Sequence, residues 1–303
     1  MKYSQTKGSV LYSIIMSKIL NKETMFHFSN FYHFSGVANL SELKSEILTL
    51  GERLQVIGLI ILAEEGINAT AASTDSMKLD EFTDELQNIL QVKFRNIKRS
   101  SALLRRSPFR KLKIKIRKEI VTLGVEGIDP ARDAGTYVEP EEWNNLISDP
   151  DVLLVDTRNV YEYRLGSFQG AVDPRTLNFR QFPEKLQKII ESQKPKKLAM
   201  FCTGGIRCEK ATAVARQMGI EDVYHLKGGI LEYFERIPSS QSTWNGSCFV
   251  FDGRITVNQN LEAKPEPLCS ACGQVKTKSP ETGEYECHQC VEYPMKKNQV
   301  ALP

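Results

Sequence analysis

The chain has no cysteine before position 202. Its seven cysteines, at 202, 208, 248, 269, 272, 287 and 290, lie in the last third and are odd in number. A secreted scaffold stapled by disulfides is thereby excluded, and a reducing cytoplasmic compartment is expected. No apolar run approaches the roughly 18 residues that a membrane helix needs, so no membrane is expected as a partner. The short run Val10–Met16 has lysines on both sides and no small-residue cleavage site after it, which argues against a signal peptide. There is no Gly-x-Gly-x-x-Gly segment, so the commonest dinucleotide fingerprint is missing. Histidines number only four, at 27, 33, 225 and 288; an iron site of two histidines and a carboxylate would have to be assembled across domains. Internal repeats and low-complexity tracts are absent too.

What is present is an ordinary globular composition of 303 residues, 41% apolar and 25% charged, long enough for two domains. Its charge is unevenly spread. Twelve lysines and arginines and no acidic residue lie from Lys93 to Lys118, whereas the whole chain nets +3, so the other residues carry −9. Most charge runs are solvated faces, but those usually intersperse both signs. A run of one sign suits a nucleic-acid phosphate backbone, with Arg105, Arg106, Arg110, Lys111, Lys113 and Lys115 as candidate contacts. The interleaved Phe94 and Phe109 could stack on a base.

Residues 1–24 read as a disordered leader, 25–123 as a first domain and 124–135 as a linker. Within the first domain, strands are expected at 26–35, 54–63, just after 64–70 and at 112–117, with helices at 40–50, where Ser41 and Glu42 offer capping, and 77–90. The order β-α-β-β-α-β points to a ferredoxin-like α+β sandwich. A second domain, 136–242, carries continuous apolar strands at 151–155, 198–201 and 223–226 separated by helices, the pattern of an α/β fold whose parallel sheet is covered on both faces. Residues 243–303 form a cysteine-rich C-terminal segment with little helical character.

The segment richest in chemistry is Phe201-Cys202-Thr203-Gly204-Gly205-Ile206-Arg207-Cys208. Cys202 falls where a parallel strand ends and a helix is about to start, the edge at which open α/β sheets bind ligands. Two glycines let successive N–H groups curl into one concavity, the helix N-terminus adds roughly half a positive charge, and Arg207 adds a full one. A thiol there should ionise easily and react as thiolate, or carry a persulfide. The plainer alternative is a buried free cysteine at a strand end. Asp156 and Arg158, at a neighbouring strand end, are expected to brace the loop. Cys208 is either a resolving thiol or a small apolar contact in the first helical turn.

This strand–Cys–loop–Arg–helix unit resembles the active-site loop of rhodanese domains. Val155-Asp156-Thr157-Arg158 with Glu162, Gly166-x-x-x-Gly170-Ala171 and His225-Leu226-Lys227-Gly228-Gly229 carry the same resemblance over about residues 136–240. Its Cys-x4-Arg spacing is that of the sulfurtransferases, one residue shorter than in the related phosphatases. The block Cys202–Lys210, with Glu64-Glu65-Gly66-Ile67-Asn68, Ser107-Pro108-Phe109, Glu119-Ile120-Val121-Thr122 and Cys248-Phe249-Val250-Phe251-Asp252, resembles the bacterial tRNA uridine(34) hydroxylases. That resemblance implies an acylphosphatase-like domain before a rhodanese domain, tRNA as partner, oxygen-dependent 5-hydroxylation of the wobble uridine, and Cys202 as the essential cysteine. No cofactor for activating oxygen is evident in the sequence. Three other functions stay open: a sulfurtransferase passing persulfide sulfur to or from a partner protein or tRNA, a non-enzymatic zinc-bearing RNA-binding protein, and a phosphatase, which the short loop disfavours.

In the C-terminal segment Cys269-x2-Cys272 and Cys287-x2-Cys290 stand fourteen residues apart. Two such knuckles fit a tetrahedral structural zinc with four thiolates, which leaves no open position for catalysis. Reduced or disulfide-paired cysteines are the alternative.

Overall fold

The computed structural model describes residues 23–94, 96–251, 254–264, 266–269, 275–279, 282–287 and 290. The expected leader lies outside them except for its last two residues, and so do Cys272 and His288. The chain divides into two compact units. The first holds the described residues up to His33, Val37–Leu62 and Ile67–Ile116; the second holds Phe34–Gly36, Ala63–Gly66 and the described residues from Arg117 onward.

In the first unit, strand β1 (Thr24–Phe34), helix α1 (Leu40–Leu54), strands β2 (Ile57–Ala63) and β3 (Gly66–Ser73), helix α2 (Ser76–Leu90) and strands β4 (Lys98–Leu104) and β5 (Leu112–Ile116) follow in order. The sheet runs β4-β1-β3-β2-β5. Its first four strands have the ferredoxin-like arrangement, and β5 is added parallel to β2. The last strand of the expected sandwich is therefore not 112–117 but β4, antiparallel to β1, which was hidden because Lys98–Leu104 buries little and shows no clear apolar face. Helix α1 runs four residues past its expected end, since Leu43, Ile47, Leu50 and Leu54 keep helical spacing and all are buried. Its N-cap is Asn39 in the left-handed region, not the Ser41 expected to cap it. Asp75 caps α2 through the N–H groups of Met77 and Lys78.

The basic run is consequently not one sheet face. Its middle occupies both edge strands and the 105–111 connection between them, with Lys93 ahead of β4 and Arg117 and Lys118 beyond β5. Arg105, Arg106, Arg110, Lys111 and Lys113 are exposed and Lys115 is half-buried. Phe94 cannot stack on a base: it is 5% exposed and stacked on Phe31, with ring centroids 4.5 Å apart. Phe109 is half-buried against Phe26, Phe28 and Ala72.

The second unit contains α3 (Pro130–Asp133), β6 (Thr136–Val138), α4 (Pro140–Ser148), β7 (Val152–Asp156), α5 (Val160–Leu165), β8 (Gly166–Phe168), α6 (Phe182–Gln193), β9 (Lys197–Phe201), α7 (Ile206–Gln217), β10 (Asp222–Leu226) and α8 (Gly229–Arg236). Its main sheet, β6-β10-β9-β7, is parallel throughout. Ala199 and Phe201 of β9 face a core with Trp143 of α4 and Tyr233 of α8, while Leu198, Met200 and Cys202 face Phe182 and Leu186 of α6 and Val214 of α7. The period of two thus places Cys202 beneath α7.

Residues 244–250 with 256–257, set apart by composition as the start of the C-terminal segment, are part of this core. Strand β11 (Trp244–Gly246) pairs with β8, and β12 (Cys248–Phe249) pairs with β13 (Thr256–Val257). Trp244, Cys248, Val250 and Val257 are buried among the residues beneath α4 and α8. Two further short strands, β14 (Thr277–Lys278) and β15 (Tyr285–Glu286), pair between the cysteine knuckles. No helix among the described residues is long and apolar enough to cross a membrane.

Candidate active site

β9 ends at Phe201, and residues 203–205 turn the chain into α7. Gly205 has φ 98°, a conformation that L side chains rarely adopt, and its N–H donates to Cys202 Sγ at 3.1 Å. The loop is held from the other side by the start of α8, where the N–H groups of Ile230 and Leu231 donate to the carbonyls of Cys202 (3.0 Å) and Thr203 (3.1 Å). That approach needs Gly229: a Cβ there would stand 2.5 Å from the Cys202 oxygen.

Cys202 is 1% exposed. Burial alone would raise its pKa. It is outweighed by a hydrogen bond from the Cys208 thiol, by the charge of Arg207 and by the N–H groups of Cys208 and Arg207, which together lower the Cys202 thiol from 9.0 to about 5. Cys208 moves the opposite way, well up, because it is buried and beside that thiolate. Cys208 is thus both the packed residue and the hydrogen-bond donor of the pair. Its sulfur also lies 3.6 Å from Thr157 Oγ1, whose hydroxyl donates to the Phe201 carbonyl at 3.0 Å.

Arg207 brings the positive charge expected of it, but its donors are taken by a carboxylate. Its guanidinium is committed in bidentate fashion to Glu162, at 2.7 and 2.8 Å, and lies 3.4 Å from Thr203 Oγ1. It acts on Cys202 as a buried charge at fixed distance. Glu162, in the first turn of α5, also accepts from the Asn159 N–H at 3.1 Å. Burial pushes its pKa up, but Arg207 overrides this and holds the carboxyl below its usual range.

Asp156 and Arg158 form a fully buried pair at 2.6 Å, but not against the cysteine loop. Arg158 donates to the Gly166 carbonyl at 2.6 Å and its Cζ lies 5.0 Å from the Trp244 ring, so the pair ties β7 to β8 and β11. The residue between them, Thr157, touches the loop. Lys210, 2% exposed on α7, pairs with Glu65 at 2.8 Å and Glu119 at 2.6 Å within the same unit. Cys248 is buried, and its thiol pKa is raised by burial to about 12, too high for a thiolate at neutral pH.

Residues 26–120 match the family described as UPF0176 acylphosphatase like domain, and 139–236 match the Rhodanese-like domain. A protein of Teredinibacter turnerae named tRNA uridine(34) hydroxylase is 48% identical over 241 residues, covering 80% of this chain and 74% of its own. A protein of the same name from Picosynechococcus sp. is 45% identical over 267 residues, covering 86% and 89%. The chain belongs to the tRNA uridine(34) hydroxylase family. Among solved structures, the rhodanese-like domain of an Anabaena protein aligns with 36% of this chain and 78% of its own at TM-score 0.30 and 19% identity. An acylphosphatase from Coxiella burnetii aligns with 31% and 93% at TM-score 0.22 and 16% identity.

The hydroxylase-family chain also gathers thiols outside this loop. Cys269, Cys287 and Cys290 bring their sulfurs within 4.8 Å of one another, with Cys269 and Cys290 3.7 Å apart. His225, on β10, is buried and its pKa is lowered by that burial to about 4, so it stays neutral at physiological pH.

Proposed function

We infer that the protein hydroxylates C5 of uridine 34, the wobble position of tRNA, with dioxygen as oxidant and Cys202 as the reactive group. The observation that carries this is a thiol lowered to about 5 at the end of a parallel strand, in a chain 45–48% identical to proteins named for that reaction. The Cys202 thiolate suits addition to C6 of the uracil ring: an S–C6 bond forms and the C5=C6 electron pair moves toward the C4 carbonyl, enriching C5, which takes one oxygen atom; loss of the C5 proton then expels the thiolate from C6 and restores the C5=C6 bond, while the second oxygen atom leaves as water with two electrons from an external reductant. The N–H of Gly205 and the Cys208 thiol hold the charge on sulfur, and Arg207, fixed by Glu162, is a positioning residue. Arg105, Arg106, Arg110, Lys111, Lys113 and Lys115 would contact tRNA phosphates. The compartment is the cytoplasm, where tRNA is found.

Nucleoside mass spectrometry of tRNA from cells lacking the gene tests this reading. We expect 5-hydroxyuridine derivatives to fall, to return with the wild-type gene, and not to return with Cys202→Ala. Unchanged derivatives in the deletion strain would remove it. The amide donor on Sγ equally suits a persulfide, so sulfurtransfer is the second reading; a gain of one sulfur atom on Cys202 after thiosulfate treatment would favour it.

For the C-terminal segment the proposal is a structural zinc held by Cys269, Cys287 and Cys290, with Cys272 as fourth ligand. The three gathered sulfurs support it. One equivalent of zinc in purified protein, lost in Cys269→Ser, is the expected metal analysis.

A further inference from the structure

We propose that Phe251 is the platform on which the uracil ring of the target nucleotide stacks, so that the β12–β13 pair forms part of the active site. The proposal rests on the hydroxylase reading and adds the residue that receives the base.

Alternation along residues 248–251 sets this up. Cys248 and Val250 point into the core, and Phe249 and Phe251 therefore share the opposite side. The hairpin is fixed by the Cys248–Val257 and Phe249–Thr256 pairs and by the Val250 N–H donating to the Ile255 carbonyl at 2.8 Å. Phe249 is clasped edge-on by Tyr161, with centroids 5.3 Å apart at 87°, and its carbonyl accepts from Thr203 Oγ1 at 3.4 Å. Thr203 is the residue after Cys202, so this strand is latched to the reactive loop itself.

Phe251 stands edge-to-face on Phe249, with centroids 5.0 Å apart at 83°, and its ring centre lies 5.9 Å from Cζ of Arg207. It is nevertheless 60% exposed, and it is the one phenylalanine among the described residues left on the surface to that extent. The ring is braced edge-on by Phe249, stands against the arginine that tunes the catalytic thiol and is open elsewhere, so it can offer a flat face to a ligand. Proteins that do chemistry on a nucleobase draw it out of its stack and receive it on aromatic rings, because any base offers a flat π face. A pyrimidine stacked on the open side of Phe251 would lie near Arg207 and near the strand that Thr203 latches, both neighbours of Cys202.

A different role is conceivable for the same ring: an apolar cover over the Arg207–Glu162 pair. The two roles separate by substitution. Phe251→Leu keeps the cover and removes the π face; Phe251→Tyr keeps both. In cells lacking the gene, at matched protein abundance, the stacking role predicts that Phe251→Ala and Phe251→Leu restore 5-hydroxyuridine roughly ten- to hundredfold less efficiently than wild type, while Phe251→Tyr stays close to it. With purified full-length protein, an anticodon stem–loop carrying a fluorescent pyrimidine at position 34 should be quenched by wild type and Phe251→Tyr and not by Phe251→Leu. The pH titration of the Cys202 thiolate should be the same in all four proteins. Normal function and quenching in Phe251→Leu, or a shifted Cys202 titration in Phe251→Ala, would overturn the proposal. If wild type itself restores no hydroxyuridine, the hydroxylase reading fails, whereas quenching still reports on the platform.

Discussion

At Cys202 two large effects oppose each other. Burial penalises the thiolate, and Cys208, Arg207 and two backbone amides favour it more strongly. A thiolate absorbance titration, taken as wild type minus Cys202→Ser, should give a midpoint near about 5 against about 9 for an ordinary thiol. Arg207→Met should move that midpoint up. Glu162→Gln should move it further down, because the carboxylate now offsets the arginine's charge. The sign for stability follows from linkage: a thiol whose folded pKa is lowered stabilises fully above its unfolded value and loses that contribution as pH falls toward the folded one. The stability difference between wild type and Cys202→Ser should therefore grow from about pH 5 to about pH 9. Cys202 and Arg207 were legible in the sequence through their spacing around two glycines. The partner of Arg207 was not, because Glu162 is 45 residues away and only the packing of α5 against the loop brings it near.

α7 is unusual among the helices in being buried on nearly every side while carrying charge. Arg207, Glu209 and Lys210 are all buried, and each has a partner: Glu162 for Arg207, the Tyr137 hydroxyl donating to Glu209 at 2.7 Å, and Glu65 with Glu119 for Lys210. Buried charge is tolerated only on such terms. Lys210→Met should cost roughly 3 kcal/mol in denaturant unfolding at pH 7, since two carboxylates lose their cation. Burial raises the Glu119 pKa, but Lys210 holds it below 4.5 overall, so the pairing stabilises above pH 4.5 and fades as acid titrates the carboxylate through its lowered pKa. The variant's deficit should accordingly shrink in acid. The strands after α8 were not legible as core elements. β11 and β12 are two or three residues long, too short for a periodic signal, and they acquire meaning only by covering Phe168 and Phe201 with Trp244. A chain ending at 243 should fail to show a cooperative thermal transition for the second unit. One ending at 264 should keep it.

For the whole molecule, the tRNA contact proposed for the charge run is open to a direct test. Replacing Arg105, Arg106 and Arg110 by alanine should weaken tRNA binding irrespective of sequence and flatten the dependence of log K on log salt by roughly one per lost contact, as filter binding across a salt series would read. Thiolate titration should be unchanged in that variant. Sequence alone determined the α/β unit with its parallel sheet, the strand-end cysteine and the location of positive charge. Each of these is written in local signals: continuous apolar strands, glycines beside a cysteine, and a run of one sign. The tertiary structure decided what each of those residues meets. It buried Phe94, split the basic run across two sheet edges, turned Arg207 onto Glu162, aimed the Asp156–Arg158 pair at β8 and β11, and brought Phe251 beside the loop. The physical reason is that burial, ion pairing and stacking depend on which side chains meet in space, and residues 40 to 100 positions apart carry no mutual signal along the chain.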